Sequence, residues 1–389
     1  ALATPGEPLW LRVLQLAAFG AFNSLQFTAM NTITLKDLDG ASASSGNSLL
    51  SMVQMLAMSL GVAVAGAVLS GFSAAFGGTG TPGAALEAFQ AAILLVFLGV
   101  GFVLAGLVQM VIAFPLIPAG TPIDKMADEL VKALMNPAHV TAARLSQVLG
   151  TLFLMLVPSL LYLWICHGKN LFWLGFNRHI NVRQIILGFF LIFLANILAG
   201  PLADLSKTIV AQFPSFDKQA KLLEDAYTQQ AMALSNLKSW GEFFLAIVVM
   251  AFFPALFEEI FFRGAMQELL ERWWKKPLLA IVFTSIVFSL IHMSVYLFLS
   301  RFILGFVLGL MYQRSKNIWV NVVAHFLNNT VAVIQMFWIS RHASKVEVDK
   351  LDPPVPWWGA LIALAVTIAF FWLFERVSAK NRKQIAFEE

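Results

Sequence analysis

Long apolar runs dominate the pattern of hydrophobic and polar positions along the chain. Each run continues for about twenty residues, the length that an α-helix needs to cross a bilayer. A membrane β-barrel would instead alternate apolar and polar residues over segments of about ten. The runs predict about ten helical spans, one of them (299–313) so short that we expect it to be tilted, re-entrant or shielded by its neighbours. The spans lie near residues 10–31, 48–72, 89–117, 146–166, 185–203, 243–262, 278–297, 299–313, 318–340 and 357–375.

Composition supports the same class. Of the 389 residues, 59% are hydrophobic and only 12% are charged, whereas a soluble domain carries roughly 25% charged residues. We therefore predict an all-α, polytopic membrane protein whose surroundings are membrane lipid. The net charge of +4 comes from basic residues in short loops, so no nucleic-acid partner is expected. The single cysteine, Cys166, excludes an internal disulfide and any multi-cysteine metal cluster.

The character of the sequence changes near residue 120. Residues 1–120 hold 15 of the 25 glycines but only two of the 26 basic residues, Arg12 and Lys36. The proline-rich stretch 115–122 reads as a helix stop and a linker. We therefore divide the chain into a first membrane piece at 1–118, a linker with a short amphipathic helix at 119–145, and a second membrane domain at 146–389.

Basic residues orient the second piece. They follow every other span, and the loops between are charge-balanced, which places the basic loops in the cytoplasm. The balanced loop 204–242 then lies on the opposite side and is expected to be partly helical. The basic residues are Arg178, Arg183, Arg263, Arg272, Lys275, Lys276, Arg314, Lys316, Lys380, Arg382 and Lys383.

Ionisable residues within apolar spans are costly and therefore point to function. In the 243–262 span, Glu259 and Arg263 are four residues apart, in the favourable order for a helical ion pair. Glu258 lies about 100° around the same helix and can face the interior of the bundle. Pro254, one turn earlier, is expected to kink the helix beside a cavity.

Two further spans carry polar side chains. Phe288 and His292 are four apart, and we expect His292 deep in the helix of the 278–297 span. His325 and Asn329 share one face of the apolar helix predicted over the 318–340 span. Each feature alone fits an interfacial ion cluster, a packing histidine or an interhelical hydrogen bond. Their order within about seventy residues favours a shared site, and no other span offers comparable polar groups.

This set of side chains fits hydrolysis of a peptide bond inside a membrane. A carboxylate held by an imidazole can activate water as a general base, and a second imidazole with an amide can stabilise an oxyanion. Zinc remains the alternative, with Glu258, His292 and His325 as ligands and an open fourth position. The motifs of zincin, aspartate and serine intramembrane proteases are absent from the sequence, so water is the expected nucleophile.

The three motifs Glu258-Glu259-x-x-x-Arg263, Phe288-x-x-x-His292 and His325-x-x-x-Asn329 resemble those of the CAAX protease and bacteriocin-processing (CPBP, Abi) family. The resemblance covers about 145–376. It implies about eight helices around a cavity open to lipid and cytoplasm, with Glu258 and His292 activating water. It implies that His325 and Asn329 form the oxyanion site and that Glu259 and Arg263 support the architecture. A glutamate-type mechanism without a cofactor is favoured for the family, whose members have also been described as metalloproteases.

The first piece resembles a different family. The segments Met30-Asn-Thr-Ile-Thr-Leu-Lys36-Asp37, Ala43-Ser-Ser-Gly-Asn-Ser and Leu60-Gly-Val-Ala-Val-Ala-Gly66 are similar to the last three helices of a fourteen-span drug:proton antiporter of the major facilitator superfamily. Three helices cannot form the cavity between two six-helix halves on which such transport depends. We therefore expect 1–118 to be a passive remnant or a fused fragment.

Together these observations predict an intramembrane endopeptidase. Its expected partners are membrane-protein or peptide substrates, including proteins that resemble prenylated CaaX proteins. Its expected location is the bacterial plasma membrane, with the site towards the cytoplasm. The alternative from another class is a non-catalytic membrane protein, either a bacteriocin-immunity or partner-binding protein or an inactive transporter fragment.

Overall fold

The structure of the protein is a computed structural model. It describes residues 10, 13, 14, 17, 70, 71, 82–122, 125–177, 179–234, 237, 239–342 and 355–385. The predicted spans 10–31 and 48–72 lie almost entirely outside these residues. The antiporter-like segments within residues 30–66 lie outside them as well.

Helices form the regular structure of the described residues, and no strand occurs among them. Among the same residues, six helical stretches are long and apolar enough to cross a membrane. These findings confirm the all-α, polytopic membrane class. Residue contacts divide the chain into two compact units, Ala1–Val96 and Phe97–Glu389.

The helices agree with the predicted spans in order and approximate position. Two of them lie in the polar connections: α2 falls within the predicted linker, and α5 confirms a helix within 204–242. Helix α3 contains a π-helical segment at Leu152–Leu156, and α6 contains two, at Ile247–Phe252 and Ile260–Gln267. The helices are α1 Pro82–Ala113, α2 Met126–Met135, α3 Val140–His167, α4 Val182–Ala211, α5 Pro214–Leu234, α6 Trp240–Trp274, α7 Pro277–Leu290, α8 Phe298–Ser315, α9 Ile318–His342 and α10 Trp357–Ile385.

Local sequence explains where α4 and α6 begin. The Asn181 side chain accepts hydrogen bonds from two backbone N–H groups of the first turn of α4. Ser239 accepts from the backbone N–H of Glu242, whose carboxylate accepts in return from the backbone N–H of Ser239. This capping box satisfies N–H groups that have no partner within the helix.

The core of the second unit is built on α4 and α8. Leu191, Ile192 and Ala195 of α4 pack against Leu308 and Met311 of α8, all of them buried. Residues from α9 and α10 complete the same cluster. The short predicted span 299–313 is thus α8, and its neighbours shield it, as expected.

Two glycines let α8 approach the helices beside it. A Cβ built at Gly305 would lie 3.0 Å from Cδ1 of Phe288, and one at Gly309 would lie 2.8 Å from Cγ2 of Ile281. The small residues therefore permit close helix packing of the kind common in membranes. The same turns expose carbonyls to α6, since Arg263 donates to Gly305 O at 3.1 Å and Gln267 donates to Gly309 O at 3.0 Å.

The prediction that His292 lies deep in a helix is wrong. Helix α7 ends at Leu290, and His292 lies in the turn between α7 and α8. A hydrogen bond closes this turn, because Ser289 Oγ of α7 donates to the carbonyl oxygen of Phe298 of α8 at 2.7 Å. Within the turn, Met293 adopts a positive φ of 56°. The turn is also tied to α5, because Ser294 donates to Glu224 and Tyr296 donates to Asp217, at 2.5 and 2.7 Å.

Candidate active site

Helix α6 carries the two adjacent glutamates of the site. Glu258 and Glu259 end an ordinary α-helical stretch, Phe253–Glu259, that lies between the two π-helical segments. Pro254 starts this stretch next to the first π-segment, where the missing N–H of proline removes a helical hydrogen bond. Both glutamates are buried, and π-helical turns are frequent at functional sites.

Glu259 is the centre of a buried hydrogen-bond network. Its Oε1 atom accepts from Arg263 Nη1 at 2.8 Å and lies 2.8 Å from His325 Nδ1. Its Oε2 atom accepts from Asn321 Nδ2 at 3.2 Å. Glu259 and Arg263 are both 0% exposed, so their ion pair, which the sequence predicted, is fully withdrawn from water. Both carboxylate oxygens of Glu259 are engaged in this way, and its supporting role as an anchor stays a prediction.

Burial of Arg263 corrects its place among the cytoplasmic loop residues. The guanidinium donates to Gly305 O and lies 4.9 Å from the ring centroid of Phe288. A buried charge needs such a carboxylate, carbonyl and ring around it, since desolvation is costly. Arg263 therefore joins α6, α7 and α8, and Phe288 supports it.

His325 lies between the two glutamates. A carboxylate can only accept, so the contact with Glu259 Oε1 places a proton on His325 Nδ1. The opposite ring nitrogen, Nε2, faces Glu258 Oε2 at 3.9 Å. This separation is too long for a direct hydrogen bond. Among the described residues, no group makes a hydrogen bond to the buried Oε2 atom of Glu258.

His292 enters the site from the turn after α7. Its Nδ1 atom lies 2.6 Å from the carbonyl oxygen of Phe288, so Nδ1 carries a proton and Nε2 is the acceptor in the neutral ring. The Phe288 ring lies 4.8 Å from the His292 ring and 6.2 Å from the His325 ring.

Asn329 follows His325 by one turn of α9. Its Oδ1 atom accepts from Asn328 Nδ2 at 3.5 Å, and the side chain is half-buried. The structure thus brings Glu258, Glu259, Arg263 and His325 into one network, with His292 beside it and Asn329 on the adjoining turn.

Two further residues belong to the site although the sequence analysis did not select them. Asn321 is fully buried and bridges Glu259 Oε2 and Leu308 O. Its position four residues before His325, on the same face of an apolar helix, could have identified it. Arg301 donates to the carbonyl oxygen of His292 at 3.2 Å, a contact that only the fold of the α7–α8 turn reveals.

The site does not present a metal-ligand cluster. Across the described residues, no three His, Cys, Asp or Glu side chains converge in a way that could hold a metal ion. Glu258, His292 and His325, the alternative zinc set, are not part of any such group among these residues.

Part of the chain matches a known protein family. Residues 240–331 match the family described as Type II CAAX prenyl endopeptidase Rce1-like. The matched range includes Glu258, His292, His325 and Asn329. The chain therefore carries an Rce1-like CAAX protease family domain at 240–331, which supports an intramembrane protease. No solved structure matches the chain.

The N-terminal region is similar to a different group of proteins. It is 57% identical over 65 residues to "Putative multidrug resistance protein MdtD" of Serratia proteamaculans (strain 568), which covers 17% of this chain and 14% of that protein. The protein of the same name in Enterobacter sp. (strain 638) is 52% identical over 77 residues, or 19% of this chain and 16% of that protein. The chain thus spans less than one fifth of the length of these relatives.

Proposed function

We propose that the protein is an intramembrane endopeptidase that hydrolyses peptide bonds with water activated by Glu258 and His292. The observation that carries the proposal is the position of His325, with Nδ1 held by Glu259 at 2.8 Å and Nε2 facing the unpartnered oxygen of Glu258 at 3.9 Å. At this separation His325 Nε2 and Glu258 Oε2 do not hydrogen-bond directly to each other, so both atoms can contact a reacting molecule. The match of 240–331 to a protease family supports the same reaction.

Charge balance defines the roles of the ring nitrogens. Glu259 and Arg263 neutralise each other, so the buried carboxylate of Glu258 requires a positive partner. The imidazolium form of His325, with Nδ1–H donating to Glu259, would supply this partner. In that form His325 Nε2 also carries a proton and can donate a hydrogen bond to an oxyanion.

The reaction then follows from these donors and acceptors. Glu258 takes one proton from the water, while the other water hydrogen donates to His292 Nε2. The water oxygen then bonds to the scissile carbonyl carbon. The carbonyl electron pair moves to oxygen, where His325 Nε2–H and the Asn329 amide donate hydrogen bonds. When the oxyanion collapses, the C–N bond breaks and Glu258 returns the proton to the leaving amine.

The substrate class and membrane side extend this proposal. The description of the matched family contains the words CAAX prenyl endopeptidase. On that basis we propose membrane-associated substrates with a prenylated, CaaX-like C-terminus. We also propose that the site lies near the cytoplasmic face of a bacterial plasma membrane, and the alternation of basic and balanced loops supports this side. Drug transport is not proposed, since the chain covers only 14% of the antiporter-like relative from Serratia.

A reconstituted assay tests the proposal directly. The full chain in proteoliposomes is incubated with a farnesylated peptide that ends in a CaaX sequence, and cleavage is followed by mass spectrometry. Glu258→Gln should lower kcat/KM by roughly 10²–10⁴-fold, because it keeps the size but removes the base. Glu129→Gln is the matched control, since Glu129 lies on α2 and pairs only with the exposed side chain of Lys132, a kind of contact that contributes little. Equal activity in wild type and Glu258→Gln would overturn the role of Glu258.

A second measurement addresses natural substrates and the non-catalytic alternative. Protein termini are compared in cells that express wild type or Glu258→Gln at equal levels. New termini found only with wild type support proteolysis and identify the substrates. Identical termini, together with no cleavage of the farnesylated peptide, would favour an immunity or partner-binding protein. Retention of peptide cleavage after dialysis against a zinc chelator is expected, and its loss on chelation with recovery on added Zn²⁺ would favour the metal-dependent alternative.

A further inference from the structure

An asparagine within a membrane span links α4 to the candidate site. Asn196 lies in the middle of the predicted span 185–203, where the sequence analysis expected no comparable polar group. Its side chain lines a cavity of about 840 Å³ whose wall includes Phe193 of α4 and Asn328 of α9. A polar side chain at membrane depth is costly and usually has a specific partner.

Three amide side chains form a chain of hydrogen bonds that ends at Asn329. Asn196 Nδ2 donates to Ile192 O at 3.0 Å and to Asn328 Oδ1 by a short hydrogen bond. Asn328 Nδ2 in turn donates to Asn329 Oδ1 at 3.5 Å. The chain thus runs from a backbone carbonyl on α4 to the side chain beside His325.

The direction of this chain is fixed at its start. An amide can present either its oxygen or its nitrogen to a neighbour, but a backbone carbonyl can only accept. Ile192 O therefore keeps Asn196 Nδ2 in place, which turns Asn328 Oδ1 towards Asn196 and Asn328 Nδ2 towards Asn329. Asn329 Oδ1 is then occupied as an acceptor, and its Nδ2 hydrogens are directed away from Asn328.

The geometry points to Asn196 as a positioning residue that sets, through Asn328, which end of the Asn329 amide faces the substrate. This inference rests on the proposed function, in which Asn329 donates to the oxyanion. A reversed Asn329 amide would direct its oxygen at the developing negative charge and repel it. Orientation of a donor before the reaction is what makes such hydrogen bonds effective.

The alternative role for Asn196 is simple adhesion between α4 and α9, which hydrogen bonds in membranes also provide. The two roles differ in what a substitution changes. Adhesion contributes to the stability of the folded protein and leaves kcat of the folded fraction unchanged. If Asn196 positions Asn329, substitution of Asn196 lowers kcat and leaves KM nearly constant. This effect of the substitution should disappear once Asn329 itself is removed.

A double-mutant cycle separates these roles in proteoliposomes with the farnesylated CaaX peptide. Asn196→Ala and Asn328→Ala should each lower kcat about tenfold, which is less than the effect expected for complete loss of one oxyanion donor. The KM of each variant should change less than about twofold. In the Asn329→Ala background, Asn196→Ala should have no further effect on kcat. Asn196→Gln, which retains the amide, should recover part of the activity. Gln335→Ala, on the wall of the same cavity, is the control and should stay within about twofold of wild type.

Each outcome decides the question. Independent, multiplicative effects of Asn196→Ala and Asn329→Ala, or a lower thermal midpoint with unchanged kcat, would overturn the positioning role while leaving the protease intact. An inactive wild type that is folded and inserted would overturn the proposed function and this inference with it. Loss of kcat that vanishes in the Asn329→Ala background supports the inference.

Discussion

Glu259 Oε1 lies 2.8 Å from His325 Nδ1, and this contact joins two motifs that are 66 residues apart in the chain. The same oxygen lies 2.8 Å from Arg263 Nη1. The two neighbouring glutamates are therefore unequal: Glu259 is saturated with partners, and Glu258 retains a free oxygen directed at His325 Nε2. Because of this asymmetry, we expect removal of the Glu259 carboxylate to lower stability and removal of the Glu258 carboxylate to lower activity.

Glu259→Gln should destabilise the protein strongly. The substitution leaves the Arg263 charge fully buried without its carboxylate, and removal of one partner of a buried pair costs about 3–5 kcal/mol. We expect a large drop in thermal midpoint in detergent, whereas Glu258→Gln should remain near wild type. Glu259→Gln combined with Arg263→Met removes both charges and should recover part of the stability. A Glu259→Gln protein as stable as wild type would contradict the role of Glu259 as an anchor.

Asn329→Ala should slow turnover with little effect on substrate binding. The amide donates to an oxygen that becomes negative only during the reaction, so its loss is expected to lower kcat by roughly 10²–10³-fold. Binding of the farnesylated CaaX peptide to the Glu258→Gln protein, with and without Asn329→Ala, measures affinity in the absence of cleavage. A marked loss of affinity in the double variant would show that Asn329 holds the ground-state substrate instead.

The sequence was sufficient for the helical class and for the Glu259–Arg263 pair, because span length and helical spacing are local properties. It could not locate His292, since the end of α7 depends on the Ser289–Phe298 contact across a turn. Nor could spacing reveal Asn196 or Arg301, because their partners, Asn328 and the carbonyl oxygen of His292, come near them only in the folded chain. The roles of Glu258, His292, His325 and Asn329 in catalysis stay predictions.

Gly264→Ala should destabilise the region around α6. A Cβ at this position would lie 2.7 Å from the carbonyl oxygen of Leu174, a backbone atom that cannot move aside as a flexible side chain would. Overpacking of this kind costs about 1–3 kcal/mol. Gly106→Ala in α1 is the control, because a Cβ there meets no atom within 4 Å and alanine favours the helix. Equal thermal midpoints for the two variants would contradict the close contact between α6 and Leu174.

Lys316 joins the α8–α9 turn to the end of α6, and its removal should lower stability at neutral pH. Its Nζ atom lies 3.0 Å from Glu268 Oε2 and 2.7 Å from Glu271 Oε2. Burial lowers the pKa of Lys316, but the charges of Glu268 and Glu271 outweigh burial, so the pKa is raised above its usual value. Lys316→Met leaves two neighbouring carboxylates without this cation, at a cost of about 1–2 kcal/mol for a partly exposed pair.

The raised pKa also predicts how this difference depends on pH. A base whose pKa is higher in the folded state contributes its full stabilisation below the unfolded pKa, about 10.4 for lysine, and loses it as the pH rises through the folded value. The gap in thermal midpoint between wild type and Lys316→Met should therefore stay constant from about pH 7 to about pH 9 and narrow only above about pH 10. A gap that narrows between pH 7 and pH 9 would contradict the raised pKa. Lys276→Met, at the first residue before α7, controls for the loss of one surface charge.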